Sequence, residues 1–383
     1  MVYRGPHPGA SQDGVVSKAR YTGGTMDRRR FLKAVGVGSL ASALGPVYAQ
    51  ASPQVRWRLA SSYPRSLDTL YGGAEDLAAR VAELTGGRFQ IRVFQAGEIV
   101  PGGQVLDAVQ QGTVEAGHTY GPFYVGKSPV LAFDGGVPFG LTYRQQNAWM
   151  LYGGGLELMR EVYADFGLVN FPGGNTGTQM GGWFRKEIRG LSDLKGVRMR
   201  IPGLGGTVMS RLGVVPQTLA AGDIYPALER GTIDAAEFSG PYDDEKLGFY
   251  KVAPYYYYPS FWEPGAQLSF LVNQKEWQRL PKEFQLAFEV AASEVNLTMM
   301  AKYDAKNPPA LQRLLRRGVR LRRFPLEVLK KAQEEAFALY EETAAKDATY
   351  RKVYAAWKAF RQEEYRWFAV AELGYETFAF PSS

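Results

Sequence analysis

Val105-Leu106-Asp107-Ala108-Val109-Gln110-Gln111-Gly112-Thr113-Val114-Glu115-Ala116-Gly117-His118 and Ile224-Tyr225-Pro226-Ala227-Leu228-Glu229-Arg230-Gly231-Thr232-Ile233-Asp234-Ala235-Ala236-Glu237 are one module written twice, from 105 and from 224. Both copies share the alanine, the Gly-Thr step and an acidic residue followed by alanine. Each reads as a short helix stopped by glycine and then a strand running into a loop. An alternating strand with a basic residue inside it stands upstream of each, Ile91-Arg92-Val93 before the first and Met199-Arg200-Ile201 before the second, and the two are expected to correspond. Two such units imply two similar α/β lobes. Open α/β sheets bind ligands beyond the carboxyl ends of their strands, and in a two-lobed chain those ends can face each other across a cleft. The repeat therefore nominates His118 and Tyr120 on one side, and Glu237 and Ser239 on the other.

Working outward, Val55–Ala60 alternates as a strand, Leu77, Val81 and Leu84 recur at helical spacing before Gly86-Gly87, and Phe89–Phe94 alternates again. Four tyrosines at 255–258 precede Pro259-Ser260-Phe261-Trp262-Glu263-Pro264-Gly265 and an apolar strand at 268–272. If that tyrosine run is extended, only half of it can line a cleft. From Trp277 the pattern is helical almost to the end, and Val353, Trp357, Phe360, Trp367 and Phe368 form an aromatic stripe that serves either the chain's own core or a second copy. The expected division is an upstream segment and leader at 1–51, one lobe from 52–172 with about 264–300, a second from 173–263 with about 301–340, and C-terminal helices at 341–383.

The 383 residues contain no cysteine and two histidines, which removes disulfides, thiolate catalysis and cysteine-based zinc sites, and leaves little for a His-based triad. The formal charge of +7 invites a nucleic-acid reading, yet +5 of it lies in residues 1–51, so the body lacks the clustered basic composition such binding needs. Met26-Asp27-Arg28-Arg29-Arg30-Phe31-Leu32-Lys33, a short weakly apolar stretch to Leu44 and small residues near Ala49 read as an export signal of twin-arginine type. The expected location is outside the cytoplasm, in the periplasm.

Arg200 lies in Asp193-Leu194-Lys195-Gly196-Val197-Arg198-Met199-Arg200-Ile201-Pro202-Gly203. Guanidinium presents paired donors that match a carboxylate and stays charged in a closed cleft; Arg198 fits a solvated strand face. Glu237 and Glu263 flank the second lobe's strand end and the aromatic segment. Brought together alone they repel, whereas a cation makes the pair favourable, and a chain poor in His and Cys points to oxygen ligation of calcium, sodium or magnesium. Gly203-Leu204-Gly205-Gly206 lacks the lysine of a phosphate-binding loop.

The leader, the Gly-Thr-x-(Asp/Glu)-Ala repeats, the 193–203 motif and Leu280-Pro281-Lys282-Glu283 together resemble the extracytoplasmic solute-binding subunits of TRAP transporters, over nearly all of residues 52–383. That resemblance implies a two-lobed periplasmic-binding-protein-like fold with a ligand cleft and a long C-terminal helical region, serving transport and not catalysis. It places Arg200 on the family's carboxylate-binding arginine. Gly173–Trp183, Ala236-Glu237-Phe238 and Trp262-Glu263-Pro264-Gly265 resemble the branch that binds 2-oxo or 2-hydroxy monocarboxylates, lactate or pyruvate, through a metal. The branch implies that Gln179, Glu237, the Phe238 carbonyl and Glu263 hold a calcium ion, or sodium, while Arg200, Asn175 and an aromatic hydroxyl such as Tyr120 hold the ligand. It often carries Trp where this chain has Phe238, a change that a carbonyl contact survives. It also implies membrane transporter subunits as partners and a homodimer through the C-terminal helix. A divalent ion with Arg200 would balance Glu237, Glu263 and one ligand carboxylate, whereas an unpaired buried charge is costly. The competing readings are a secreted metal-dependent enzyme with Glu237 or Glu263 as base, for which no acid partner is evident, and a sensor that works without a transporter.

Overall fold

The computed structural model describes residues 54–380, so the export leader read at 1–51 and the final residues 381–383 lie outside the described residues. The described strands are β1 (Val55–Ser61), β2 (Phe89–Phe94), β3 (Ala116–Thr119), β4 (Leu168–Asn175), β5 (Trp183–Phe184), β6 (Arg198–Arg200), β7 (Val215–Gln217), β8 (Ala235–Ala236), β9 (Tyr255–Tyr258), β10 (Gln267–Asn273) and β11 (Arg320–Arg323). They build a five-stranded sheet in the order β2-β1-β3-β10-β4 and a six-stranded sheet in the order β11-β9-β5-β8-β6-β7. The fold is α/β with two lobes, one around each sheet, as the repeat predicts.

The duplication is visible in the topology. In the first lobe β1, the helix Leu70–Leu84, β2, the helix Val105–Gln110 and β3 follow one another, and β1 pairs parallel with both β2 and β3. The second lobe repeats this with β6, the helix Gly203–Arg211, β7, the helix Ala221–Glu229 and β8, with β6 central and parallel to both. The shared sequence has shared work. Gly112 and Gly231 end their helices at φ of 74° and 71°, the left-handed region that glycine enters without a Cβ penalty. The acidic residue that follows clamps the central strand: Glu115 accepts from the backbone N of Arg58 at 2.7 Å and pairs with its guanidinium, and Asp234 accepts from the backbone N of Arg198 at 3.1 Å and pairs with its guanidinium. The correspondence of Met199-Arg200-Ile201 with Ile91-Arg92-Val93 is corrected. Arg200 lies on β6, which answers to β1, and the counterpart of β2 is β7, three residues with Pro216 in the middle and too short to show alternation.

The chain crosses between the lobes after β4 and returns into β10, which runs antiparallel to β3 and β4. The 35-residue helix Lys282–Arg316 serves as a spine: Phe284, Phe288, Val295 and Met299 enter the core under the first sheet, while Leu314 enters the core under the second. The helices Leu326–Lys346 and Ala348–Val370 pack on each other and close the other side. Here the aromatic stripe divides. Val353 and Trp357 are buried in the chain's own core, Trp357 against Phe133 and Tyr354, whereas Trp367 is 60% exposed. The tyrosine run does not line the cleft: Tyr256 stacks on Trp183, and the Tyr257 hydroxyl donates to Ile188 O. Gly205 and Gly206 serve packing and not phosphate, since a Cβ there would press on Trp262 and on the Ile201 carbonyl.

Candidate ligand and cation site

The parallel strands of both lobes end at one cavity. Its walls include Tyr63 and Tyr120, from just beyond β1 and β3; Arg200 and Glu237, from the end of β6 and just beyond β8; and Thr176, Gln179 and Glu263, from the segments that cross between the lobes. Two backbone bonds knit the crossing segments together, Gln179 N to Glu263 O at 3.0 Å and Thr176 N to Ala266 O at 3.0 Å. The space between these walls is narrow, about 30 Å³. Arg200, Glu237, Glu263 and Gln179 are all more than nine-tenths buried.

Arg200 donates from Nε to Leu219 O at 3.2 Å and from Nη1 to Glu237 O at 2.8 Å, and it forms a short buried ion pair with the Glu237 carboxylate. These bonds use Nε and Nη1, and the guanidinium lies 5.4 Å from the centre of the Phe238 ring. Phe238 thus presents a π face to the guanidinium. Tyr120 donates a short hydrogen bond to Glu263 Oε2. Burial pushes the Glu237 carboxyl up to about 7, with Asp244 adding to the rise and Arg200 opposing it. Burial also drives the Glu263 carboxyl well above the usual carboxylate range, and the Glu237 charge raises it further against the pull of Tyr120 and Arg200.

The single Arg200 charge offsets only one of the two carboxylates. Glu237 Oε2 and Glu263 Oε1 accept no hydrogen bond among the described residues, and Gln179 Oε1 is a buried acceptor with no donor while its Nε2 donates to Thr176 at 3.1 Å. An orphaned amide oxygen sharing a cavity with two half-satisfied carboxylates is a donor set suited to a hard cation. Among the described residues no cluster of three His, Asp or Glu side chains could hold a metal, so a cation here depends on amide or carbonyl oxygen as well.

Of the remaining nominated residues, Phe238 and Ser239 line the cavity and two others do not. His118 lies within the first lobe's sheet, stacked on Phe270 with Nε2 against Gly173 O at 2.9 Å, and burial pushes it down to about 4. This corrects its placement in the cleft: His118 sits within β3 on the face covered by Phe270, whereas Tyr120 lies beyond the strand's end at Thr119, where the chain leaves the sheet, and reaches the cavity. Asn175 is buried at the end of β4, where its Oδ1 accepts from Gly177 N at 2.8 Å; its neighbour Thr176 lines the wall. The reading of the sequence missed Tyr63, Leu70, Phe123, Thr176 and Leu268. Tyr63 had a usable signal, because β1 is the counterpart of Arg200's strand.

Residues 60–347 match the family model "Bacterial extracellular solute-binding protein, family 7". The chain belongs to this family. Its members are solute-binding receptors, not enzymes. A Nostoc relative, the monocarboxylate 2-oxoacid-binding periplasmic protein all3028, is 55% identical over 361 residues, 92% of this chain and 99% of its own. A TRAP transporter solute-binding protein from Bordetella bronchiseptica, a dimer with copurified calcium and picolinate bound in one active site, is 50% identical with a TM-score of 0.85 over 86% of this chain and 98% of that one. A TRAP periplasmic solute-binding protein from Pseudoalteromonas atlantica with bound sodium and pyruvate is 38% identical with a TM-score of 0.82 over 84% and 98%.

Proposed function

We propose that this protein is the periplasmic receptor of a TRAP transporter and captures a small 2-oxo or 2-hydroxy monocarboxylate, of pyruvate or lactate size, together with a calcium ion. The observation that carries this reading is the meeting, in one cavity, of the Arg200 guanidinium, the Glu237 and Glu263 carboxylates and Gln179, whose buried Oε1 has no hydrogen-bond partner. Gln179, Glu237, Glu263 and the Phe238 carbonyl would hold the cation, which supplies the charge that lets both carboxylates ionise. The acid's carboxylate would take Arg200, and its neighbouring oxygen would face the cation. The Arg200–Glu237 pair is then a placeholder that exchanges partners: guanidinium moves to the ligand and Glu237 to the cation. Picolinate and pyruvate in the related structures share this chemistry, a carboxylate with a donor atom beside it. Sodium would leave the site one charge short, which favours calcium.

Capture works by lobe closure, with the ligand shifting open and closed populations. The proposed closing bodies are 52–172 with about 264–300, and 173–263 with about 301–340. Export follows the twin-arginine route through Arg28–Lys33. A homodimer forms through the C-terminal helices, where Trp367, Val370, Leu373 and Tyr375 leave a large apolar surface exposed. Calorimetry with pyruvate and lactate, before and after chelation, tests the central reading. Binding in calcium that is lost on chelation supports it; equal binding without metal removes the cation, and no binding of either acid removes the ligand class.

A further inference from the structure

Asp68 stands outside the cavity, yet it ties the two lobes together at its rim. It lies on the loop between β1 and the helix Leu70–Leu84, the same loop that sends Tyr63 and Leu70 into the cavity wall. Its partners come from the other side. Lys246 forms a short ion pair with Oδ1, and Tyr242 donates its hydroxyl to Oδ2 at 3.2 Å. Both belong to the helix Pro241–Leu247, which begins two residues after Ser239 of the opposite wall. Lys302 of the spine adds its Nζ, 2.7 Å from the Asp68 carbonyl and 3.0 Å from Oδ2. The helix Pro241–Leu247 is itself fastened to the second-lobe half of the spine, through Tyr242 N to Asn307 Oδ1 at 3.0 Å and Glu245 to Arg313 at 2.6 Å. Lys246 is held in place by its approach to the Tyr242 ring, 3.5 Å from the centroid. One carboxylate thus receives three donors, two from the opposite lobe and one from the spine.

We propose that Asp68 is a closure latch, a positioning residue that holds the lobes shut over the ligand without touching it. The geometry favours a latch over a surface decoration because both partners of the opposite lobe converge on one side chain beside the cavity mouth. Opening the cleft separates Asp68 from Lys246 and Tyr242, so their contribution belongs to the closed state. A latch of this kind acts on escape and not on entry: ligand meets the open form at the same rate, and leaves more slowly. Because the pairs are partly exposed, the effect is modest and screened by salt.

This inference rests on the binding-and-closure reading above, and its test separates the two. The full mature chain is assayed by stopped flow with pyruvate and calcium as the probe. Asp68→Asn is expected to raise the dissociation rate about three- to tenfold, the scale of a small cluster of exposed pairs, with the association rate and the ligand-free melting temperature unchanged. Lys246→Met should do the same, Asp68→Glu should restore slow release, and added salt should shrink the difference. A release rate equal to wild type, or association and dissociation rates slowed together with a lower melting temperature, overturns the latch. A second measurement is independent of ligand identity. The chain has no cysteine, so spin labels on Gln90→Cys in the first lobe and Lys186→Cys in the second report interlobe distance in the protein as purified. Asp68→Asn should lose closed population there; an unchanged distance distribution overturns the proposal. If wild type binds no pyruvate, the ligand assignment fails and the distance measurement still decides the latch.

Discussion

Glu237 makes the metal-free protein unstable in a pH-dependent way that can be calculated. Its carboxyl sits at about 7 in the folded chain against an ordinary 4.5. Between those values the folded state holds a proton that the unfolded state has released, so stability falls as pH rises. Below 4.5 the effect is absent, and above 7 it is complete. A shift of that size corresponds to about 3 kcal/mol in full, of which about 2 to 3 kcal/mol develops between pH 5 and pH 8. The whole curve carries other groups as well: burial raises Asp243 to about 6 and Asp244 to about 7, which adds to the fall, and lowers His118 to about 4, which opposes it. The quantity to measure is therefore a difference between two proteins. Urea denaturation of chelated wild type and chelated Glu237→Gln at pH 5 and pH 8 should show wild type losing about 2 to 3 kcal/mol more than the variant across that interval. Calcium should suppress the loss in wild type, because it binds the charged form. Equal pH slopes in the two chelated proteins would refute the argument, since Glu237 would then be charged or protonated alike in both states.

Arg200→Lys should keep the positive charge but lose the paired donors, weakening pyruvate binding about 10- to 100-fold with calcium affinity little changed, as read by calorimetry; intact pyruvate binding would show that the anion docks elsewhere. Gln179→Leu removes the orphaned oxygen and should weaken calcium about tenfold while leaving the chelated protein as stable as wild type or more so; unchanged calcium affinity would remove Gln179 from the cation's shell. Trp367→Asp on the exposed C-terminal helix should convert a dimer to a monomer in light scattering, and a monomeric wild type would end the dimer proposal.

Much of this site was legible because its chemistry uses residue types that are conspicuous in a chain without cysteine and with two histidines. Arg200, Glu237, Glu263 and Tyr120 could be nominated from strand ends and flanking segments and Gln179 from the family resemblance, and all five line one cavity. What failed has a common physical origin in short elements. The strands of the second lobe run two to four residues, too few to show a period of two. The repeat was therefore anchored on its long helix-and-strand copy and misplaced one strand upstream. His118 failed because a strand end offers two faces, and only the packing of Phe270 decides which one histidine takes. Asn175 stays a proposed ligand contact; in the chain alone its Oδ1 accepts from Gly177 N, the ordinary competition of asparagine for nearby backbone. The aromatic stripe was one pattern serving two ends: Trp357 reaches Phe133 in the core, whereas ten residues further on Trp367 is 60% exposed.

The most direct measurement of the central claim is an anomalous difference map from crystals grown with calcium and pyruvate. A single strong peak should lie about 2.3 to 2.6 Å from carboxylate oxygens of Glu237 and Glu263 and from Gln179 Oε1, the range for calcium–oxygen bonds, with the acid's carboxylate against Arg200. A peak on surface carboxylates alone, with Arg200 still paired to Glu237, would contradict the account.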